Sequence, residues 1–483
     1  MKRFFQKKWV RIGVRVLLGL VSLWVLALVI FNWQAAREKA RVIAAAKAAG
    51  LPLSLDDFTS GMPPAEQNFA GSGLIREWED AFMRGRLNAP IPGNAAADFE
   101  LLADGFFEKI WQGNRKTGGK KLEFASLPED GPFGQTPASF VAEYDRRNGK
   151  TITKLQAGYD LPYVRRPVVP PSFTGSTEEQ VSLTESFGIK FRHVSNGLVV
   201  RGEASLLSGD PGKAAESIEL ALRFGEAIGS RGITYSVLIE DLGRRKMMGP
   251  LRTGIDGHHW RPEDLDRIQR TLLRLKVKER VRQAIQSEVL TMHLWQGWKD
   301  NRRRAVMTPY ITEVGKKSYI AWIGDKAPGL IPAGWFDRNA SHIVRATLDY
   351  VAILDRPGPA IIWWQEAERM KRAFEERSGL DRLLVWPPAG PILLKMGARA
   401  MVEHQLMLTA CELERYYLAH GAYPASLDVL PVEARLDPLH GKPFGYRVQE
   451  GKFTLYSIGP DGNDDGGVKN PKRVFEMQAD WIW

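Results

Sequence analysis

Residues 457–467 read SIGPDGNDDGG and set Asp461, Asp464 and Asp465 among four glycines. Asp461, Asn463 and Asp465, followed by Gly466, reproduce the first half of an EF-hand calcium loop: oxygen donors at positions 1, 3 and 5, then a glycine for the sharp turn. Position 12 of that loop is a bidentate glutamate; here it is Lys472. The spacing argues against an EF-hand proper and leaves two readings. One is a looser Ca2+ site built from Asp461, Asn463, Asp464, Asp465 and Ser457, with a carbonyl or Asp480 to complete it. The other is an acidic surface turn built on Asp-Gly and Gly-Gly. Three carboxylates this close repel one another unless a cation or water screens them.

Elsewhere the reactive residue types are sparse. His258-His259 is the one adjacent histidine pair, H-E-x-x-H is absent, and a chain with Cys411 as its single cysteine has no C-x-x-C, so a zinc site is not expected. No G-x-S-x-G marks a nucleophile elbow. QGNRKTGGKK (112–121) has the wrong glycine spacing for a phosphate loop and puts Lys121 where Ser or Thr would hold magnesium. Fifteen tryptophans, together with Glu77, Asp80, Glu366 and Glu368, allow an alternative reading as a glycan-active enzyme with a carboxylate pair in a Trp-rich cleft. Against it, Trp363-Trp364 falls in an amphipathic helical run, where core packing is the default. Cys411 also sits in an apolar helical pattern, as a small core residue does.

The elements that must position these residues start with an anchor. The stretch 16–31, VLLGLVSLWVLALVIF, is uncharged, and extending it to residues 12–33 adds only Arg15, a length that spans a bilayer core as helix. Lys2, Arg3, Lys7, Lys8, Arg11 and Arg15 precede or enter it without an acid, whereas Glu38 dilutes the charges that follow. By the positive-inside rule the N-terminus stays in the cytoplasm. The net charge of +11 is largely this cluster, so nucleic-acid binding is not indicated. These features imply a single-pass inner-membrane protein whose bulk is periplasmic. Residues 1–11 are then a cytoplasmic tail and 12–33 the membrane helix.

Residues 34–175 read as a stalk and a mixed helix-and-loop region. Strong helix formers over 35–49 continue the membrane helix outward until Gly50 and Pro52, and helical spacing recurs over Leu74–Leu87 and Phe99–Trp111. Residues 176–395 read as an α-helical body. In it, Val194–Leu207 and Gly212–Ile228 form a tetratricopeptide-like pair joined by SGDPG, with Asp210 as cap and Pro211 in the first helical position. Helices are also predicted over 233–248, from Pro262, over 278–300, over 333–354 and over 359–377. After WPPAGP the character changes. A long amphipathic helix over 398–420 ends at GAYP, and a hairpin joins Phe444–Val448 to Lys452–Ile458 through Glu450-Gly451.

From Leu413 to Gly467 the chain resembles the C-terminal part of the major pseudopilin of type II secretion. The residues that carry this are Tyr423-Pro424, Asp437-Pro438, Gly441-Lys442-Pro443, Tyr446, Tyr456-Ser457, Gly459 and Asp461-Gly462, in that order. The resemblance implies a small α+β head over 396–483 whose acidic loop binds calcium, which nominates Asp461, Asp464 and Asp465. The pilin leader is missing and the anchor lies hundreds of residues from the pilin-like helix, so assembly into a pilus by the usual route is not implied. The whole chain resembles a group of large membrane-anchored bacterial envelope proteins that share the anchor, the helical middle and this ending. The expected architecture is mainly α, with a transmembrane helix, a helical extracytoplasmic body and a pseudopilin-like head. The expected role is binding or scaffolding in the cell envelope, beside secretion-system or pilus-like proteins.

Overall fold

A computed structural model describes residues 2–59, 61–71, 75, 136–165, 194–230, 234–290, 331–377, 389–467 and 480–483. In chain order the helices are α1 (Lys2–Ala48), α2 (Leu55–Thr59), α3 (Pro137–Ala157), α4 (194–207), α5 (Pro211–Gly229) and α6 (Thr234–Asp256). They continue with α7 (Pro262–Arg274), α8 (Val277–Ser287), α9 (Ala333–Asp355), α10 (Ile361–Glu375), α11 (Gly390–His420) and the single turn α12 (Val432–Arg435). The strands are β1 (Leu436–Asp437), β2 (Lys442–Pro443), β3 (Gly445–Gln449), β4 (Lys452–Ser457) and β5 (Trp481–Ile482). The chain is mainly helical, as its periodicity predicts. It forms two compact units, one of 1–54, 288–350 and 369–390, the other of 55–287, 351–368 and 391–483.

The first unit is organised by α1. Its 47 residues extend about 70 Å at 1.5 Å per residue, against an apolar bilayer core of roughly 30 Å. Part of the helix must therefore find another environment, and the side chains show where the change occurs. Val16, Leu17, Leu23 and Trp24 are exposed, as is Trp33, while Ala35, Val42 and Ala46 are buried. The segment expected to be a stalk is helical, but it is packed against α9. At the crossing, Asn32 Oδ1 accepts a hydrogen bond from Gly334 N at 2.6 Å. This satisfies one of the orphan amides of the α9 N-terminus. Farther along, Lys39 pairs with Asp337 at 3.1 Å, Glu38 pairs with Arg345, and Val42 and Ala46 close a core with Leu51, Leu53, Ala340 and Val344.

In the second unit, α4 and α5 form the expected helical pair. Asp210 Oδ1 accepts from Lys213 N at 2.9 Å, the N-cap that SGDPG predicts. Helix α5 packs on α6 and α7. Helix α6 runs past its predicted end, through Pro250. Helix α11 starts eight residues earlier than predicted, at Gly390. WPPAGP reads as a break, yet Pro391 falls in the first helical turn, where its missing N–H costs no intrahelical bond. Cys411 is fully buried on α11, as expected.

After α11 the hairpin of β3 and β4 pairs Gly445 with Tyr456 and Gln449 with Lys452. Its turn residues Glu450 and Gly451 lie at φ 52° and 74°, the left-handed pair that a two-residue hairpin turn uses. The chain's last residues add β5 against β4, an element that the sequence reading did not include. Residues 391–483 share a unit with the helices of 55–287, and Leu394, Ala398, Val402, Leu406 and Ala410 of α11 are buried there. The helices expected at 74–87 and 99–111, and the basic loop at 114–121, lie outside the described residues.

The close α1–α9 crossing can be tested by crowding it. A methyl group at Gly334 would stand 2.8–2.9 Å from Asn32 and Phe31 atoms, whereas one at Gly19 would meet nothing within 4 Å. Gly334→Ala is expected to cost about 1–3 kcal/mol, seen as a lower midpoint in thermal unfolding in detergent. Gly19→Ala is expected to leave the midpoint unchanged.

Candidate functional site

A cleft of about 730 Å3 opens in the second unit. One wall is the irregular chain around Pro63, Pro64, Pro162 and Tyr163, and the other is the end of α7 and the start of α8. Two short-range features fix the first wall. Phe69 N donates to Tyr163 O at 2.9 Å and Tyr163 N to Gln67 O at 3.1 Å. Asn68, 1% exposed, grips Arg165 from both sides: its Oδ1 accepts from Arg165 N at 2.9 Å and its Nδ2 donates to Arg165 O at 2.7 Å. A buried amide used this way leaves the Arg165 side chain with one defined exit. Its guanidinium is then held by the Gly61 and Phe58 carbonyls at 3.1 and 3.3 Å.

The floor of the cleft is ionic. Glu226 is buried and both of its oxygens accept from guanidinium groups, Oε2 from Arg223 at 2.9 Å and Oε1 from Arg280 at 3.1 Å. Arg223 also reaches the Leu161 carbonyl, and Arg280 reaches Val164 O at 3.3 Å and Gln283 Oε1 at 3.1 Å. Even so, the Nε–H groups of Arg223 and Arg280 are buried without a partner. At the rim, Arg274 faces Asp160 and Lys276 faces Glu279, each at 3.8 Å and mostly exposed, so these pairs contribute little.

Behind Arg280 lies Glu240. The residue is partly exposed as a whole, but its Oε2 is buried with no hydrogen-bond partner. The carboxyl rests against Gly229, where a Cβ would stand 1.5 Å from Oε2. Burial pushes its pKa up to about 8, against the pull of Arg280 and Arg244, with Glu226 and Asp241 adding to the rise. Glu240 is thus mainly neutral at pH 7. The ionic chain continues away from the cleft through Arg244, which pairs with Asp241 and, at 3.3 Å, with Glu403 of α11. Arg399 also binds Glu403, at 2.8 Å. Arg280 and Glu240 both line a second, mostly apolar cavity closed by Val237, Val281, Leu393 and Met396.

In the acidic loop two of the aspartates bond to their own backbone. Asp461 Oδ1 accepts from Asn463 N at 3.2 Å and Asp464 Oδ1 from Gly466 N at 2.8 Å, so each closes its own turn. Both aspartates, Asn463 and Asp465 are exposed. Ser457 is fully buried and donates to Asp437 at 2.6 Å, so it is not brought into the loop. Its hydroxyl ties the end of β4 to the β1–β2 turn, where Asp437 Oδ1 also accepts from Leu439 N at 2.8 Å. The acid that does meet the loop is Asp480. Its Oδ2 accepts from Gly467 N at 2.8 Å while Oδ1 is buried without a partner. Burial raises its pKa above the usual carboxylate range, and the carboxylates of Asp464 and Asp465 add to that. Among the described residues no three His, Cys, Asp or Glu side chains are gathered closely enough to hold a metal ion as they stand.

The other described sequence candidates have partners within the fold. His258, in the loop before α7 as expected, stacks on Tyr417 at 3.7 Å and meets buried Glu414 at 3.1 Å, and Tyr423 donates to the same carboxylate at 2.8 Å. Trp363 and Trp364 are buried, Glu366 binds Arg356 at 2.7 Å and Glu368 binds Lys395. These carboxylates do not face each other across an open cleft. Glu77 and Asp80 lie outside the described residues. Comparison with known proteins finds no matching family model, no matching curated protein and no matching solved structure.

Glu240 yields a pH test. An unfolded glutamate ionises near 4.5 and this one near 8, so between those values unfolding releases a proton and stability falls as pH rises. The stabilisation is complete below pH 4.5 and is lost as pH passes 8. Thermal midpoints of the wild type should decline across that window relative to Glu240→Gln, which keeps the shape and cannot ionise. Parallel pH profiles for the two proteins would refute the assignment.

Proposed function

We propose that this chain is a single-pass membrane protein of the bacterial inner membrane. Its basic N-terminus lies in the cytoplasm and its helical body in the periplasm, where it serves as a binding or scaffold protein of the cell envelope. The observation that carries this reading is the change of environment along α1. One helix, long and apolar enough to cross a membrane, exposes most of its apolar side chains from Val10 to Trp33 and buries one face beyond them, at Ala35, Val42 and Ala46. A soluble core helix would bury the first stretch, and a cleaved signal would not continue into a packed core. The six cations at the N-terminal side support the orientation.

The likeness of 413–467 to the type II secretion pseudopilin supports a head that docks on a secretion or pilus-like assembly and is stabilised by calcium. Asp480, with a bare buried oxygen beside Asp464 and Asp465, offers the carboxylate on which such an ion would draw the loop together. A ligand at 100 times its Kd stabilises a fold by about 2.7 kcal/mol. Calcium should therefore raise the melting midpoint of the full-length chain in detergent, and Asp480→Asn should abolish that rise. An equal rise in Asp480→Asn would refute the calcium assignment.

The topology has a direct test, because Cys411 is fully buried and its thiol is pushed up to about 12, which makes it unreactive at neutral pH. Leu273→Cys, at a site 66% exposed on α7, then supplies the one accessible thiol among the described residues. A membrane-impermeant maleimide should label it in intact spheroplasts. Labelling only after lysis would place the body in the cytoplasm and overturn the proposal.

A further inference from the structure

The cleft carries more positive charge than its own carboxylates balance. Arg165, Arg223 and Arg280 face one carboxylate at the floor, Glu226, while Asp160 and Glu279 lie at the rim beside Arg274 and Lys276. Both Glu226 oxygens are already occupied by guanidinium groups. Each of the three arginines is fixed by backbone carbonyls as well. Two of them keep a buried N–H without a partner. Preorganised guanidinium groups recognise phosphate or carboxylate groups, and recognise them best where water is excluded.

The rest of the lining asks for more than a bare anion. Tyr163 is 49% exposed and stands with Pro63, Pro64 and Pro162, an apolar wall suited to the C–H face of a ring. Gln67 and Gln283 also line the cleft and can both donate to and accept from hydroxyl groups. A volume of about 730 Å3 falls within the roughly 300–1,000 Å3 of small-molecule sites.

We infer that this cleft binds an acidic saccharide, one or a few sugar rings bearing phosphate or carboxylate groups, with the anion on Arg165 and Arg280 and a ring against Tyr163. Glu226, at the centre of the floor, is occupied on both oxygens by Arg223 and Arg280, so it holds the arginines in place for the ligand. The inference is independent of which side of the membrane the body occupies.

The test is calorimetric titration of the full-length chain in detergent with four probes: trigalacturonate, glucose 6-phosphate, maltotriose and inorganic phosphate. At least one of the two acidic saccharides should bind, and which one does separates carboxylate from phosphate recognition. Maltotriose and inorganic phosphate should bind at least about tenfold more weakly, the factor lost with one charge-assisted hydrogen bond. Arg165→Gln and Tyr163→Ala should each weaken the acidic saccharide by a similar factor. Arg280→Gln disturbs the ionic floor, so the two surface variants, checked for an unchanged melting midpoint, carry the decision. The proposal is overturned if neither acidic saccharide binds, if inorganic phosphate binds as tightly, or if both surface variants bind like the wild type.

Discussion

A helix about twice as long as a bilayer core is wide cannot be satisfied by lipid alone, and the crossing of α1 over α9 resolves this in the first unit. Asn32 caps the incoming helix through Gly334 N. Gly334 permits the approach because a side chain there would strike the α1 backbone. Beyond that point the same helix gains protein partners: Lys39 meets Asp337, Glu38 meets Arg345, and small residues enter a core. Burying Ala35, Val42 and Ala46 removes the freedom that a stalk would have. The last exposed aromatic of the apolar stretch, Trp33, and the first buried residue, Ala35, therefore lie within one turn of helix.

The second unit depends on a different balance. Burying an arginine or a glutamate is costly unless each is paired, and here α5, α6, α8 and α11 contribute charges that satisfy one another from Arg223 through Glu226, Arg280, Arg244 and Glu403. Glu240 is the member that lacks a partner and takes up a proton instead. The result is a floor that is positive on the cleft side. The ligand proposed for the cleft would meet this incomplete cancellation of charge between the helices.

How much of this was legible depends on how local each signal is. The anchor, the SGDPG pair and the β3–β4 hairpin rest on composition, a cap and a turn, all written within a few residues. The start of α11 is less legible because WPPAGP reads as a break, although Pro391 occupies the first turn, where proline is tolerated. Ala35, Val42 and Ala46 share a face by spacing, but their partner lies some 300 residues away, and no local pattern names it. Ser457 shows the same limit. Its type suited a cation loop, while its actual partner, Asp437, could be guessed only from the Asp-Pro turn that it completes. The cleft combines Arg165, Arg223 and Arg280 from three distant segments, so its chemistry emerges only on folding.

The central claim is that α1 is one continuous element whose outer part belongs to the first unit's core. Amide hydrogen exchange of the full-length protein in lipid nanodiscs tests it most directly. The account predicts that residues 35–48 are protected as strongly as residues 335–348 of α9. Exchange of 35–48 at the rate of a free, solvent-exposed helix, with 335–348 still protected, would contradict it.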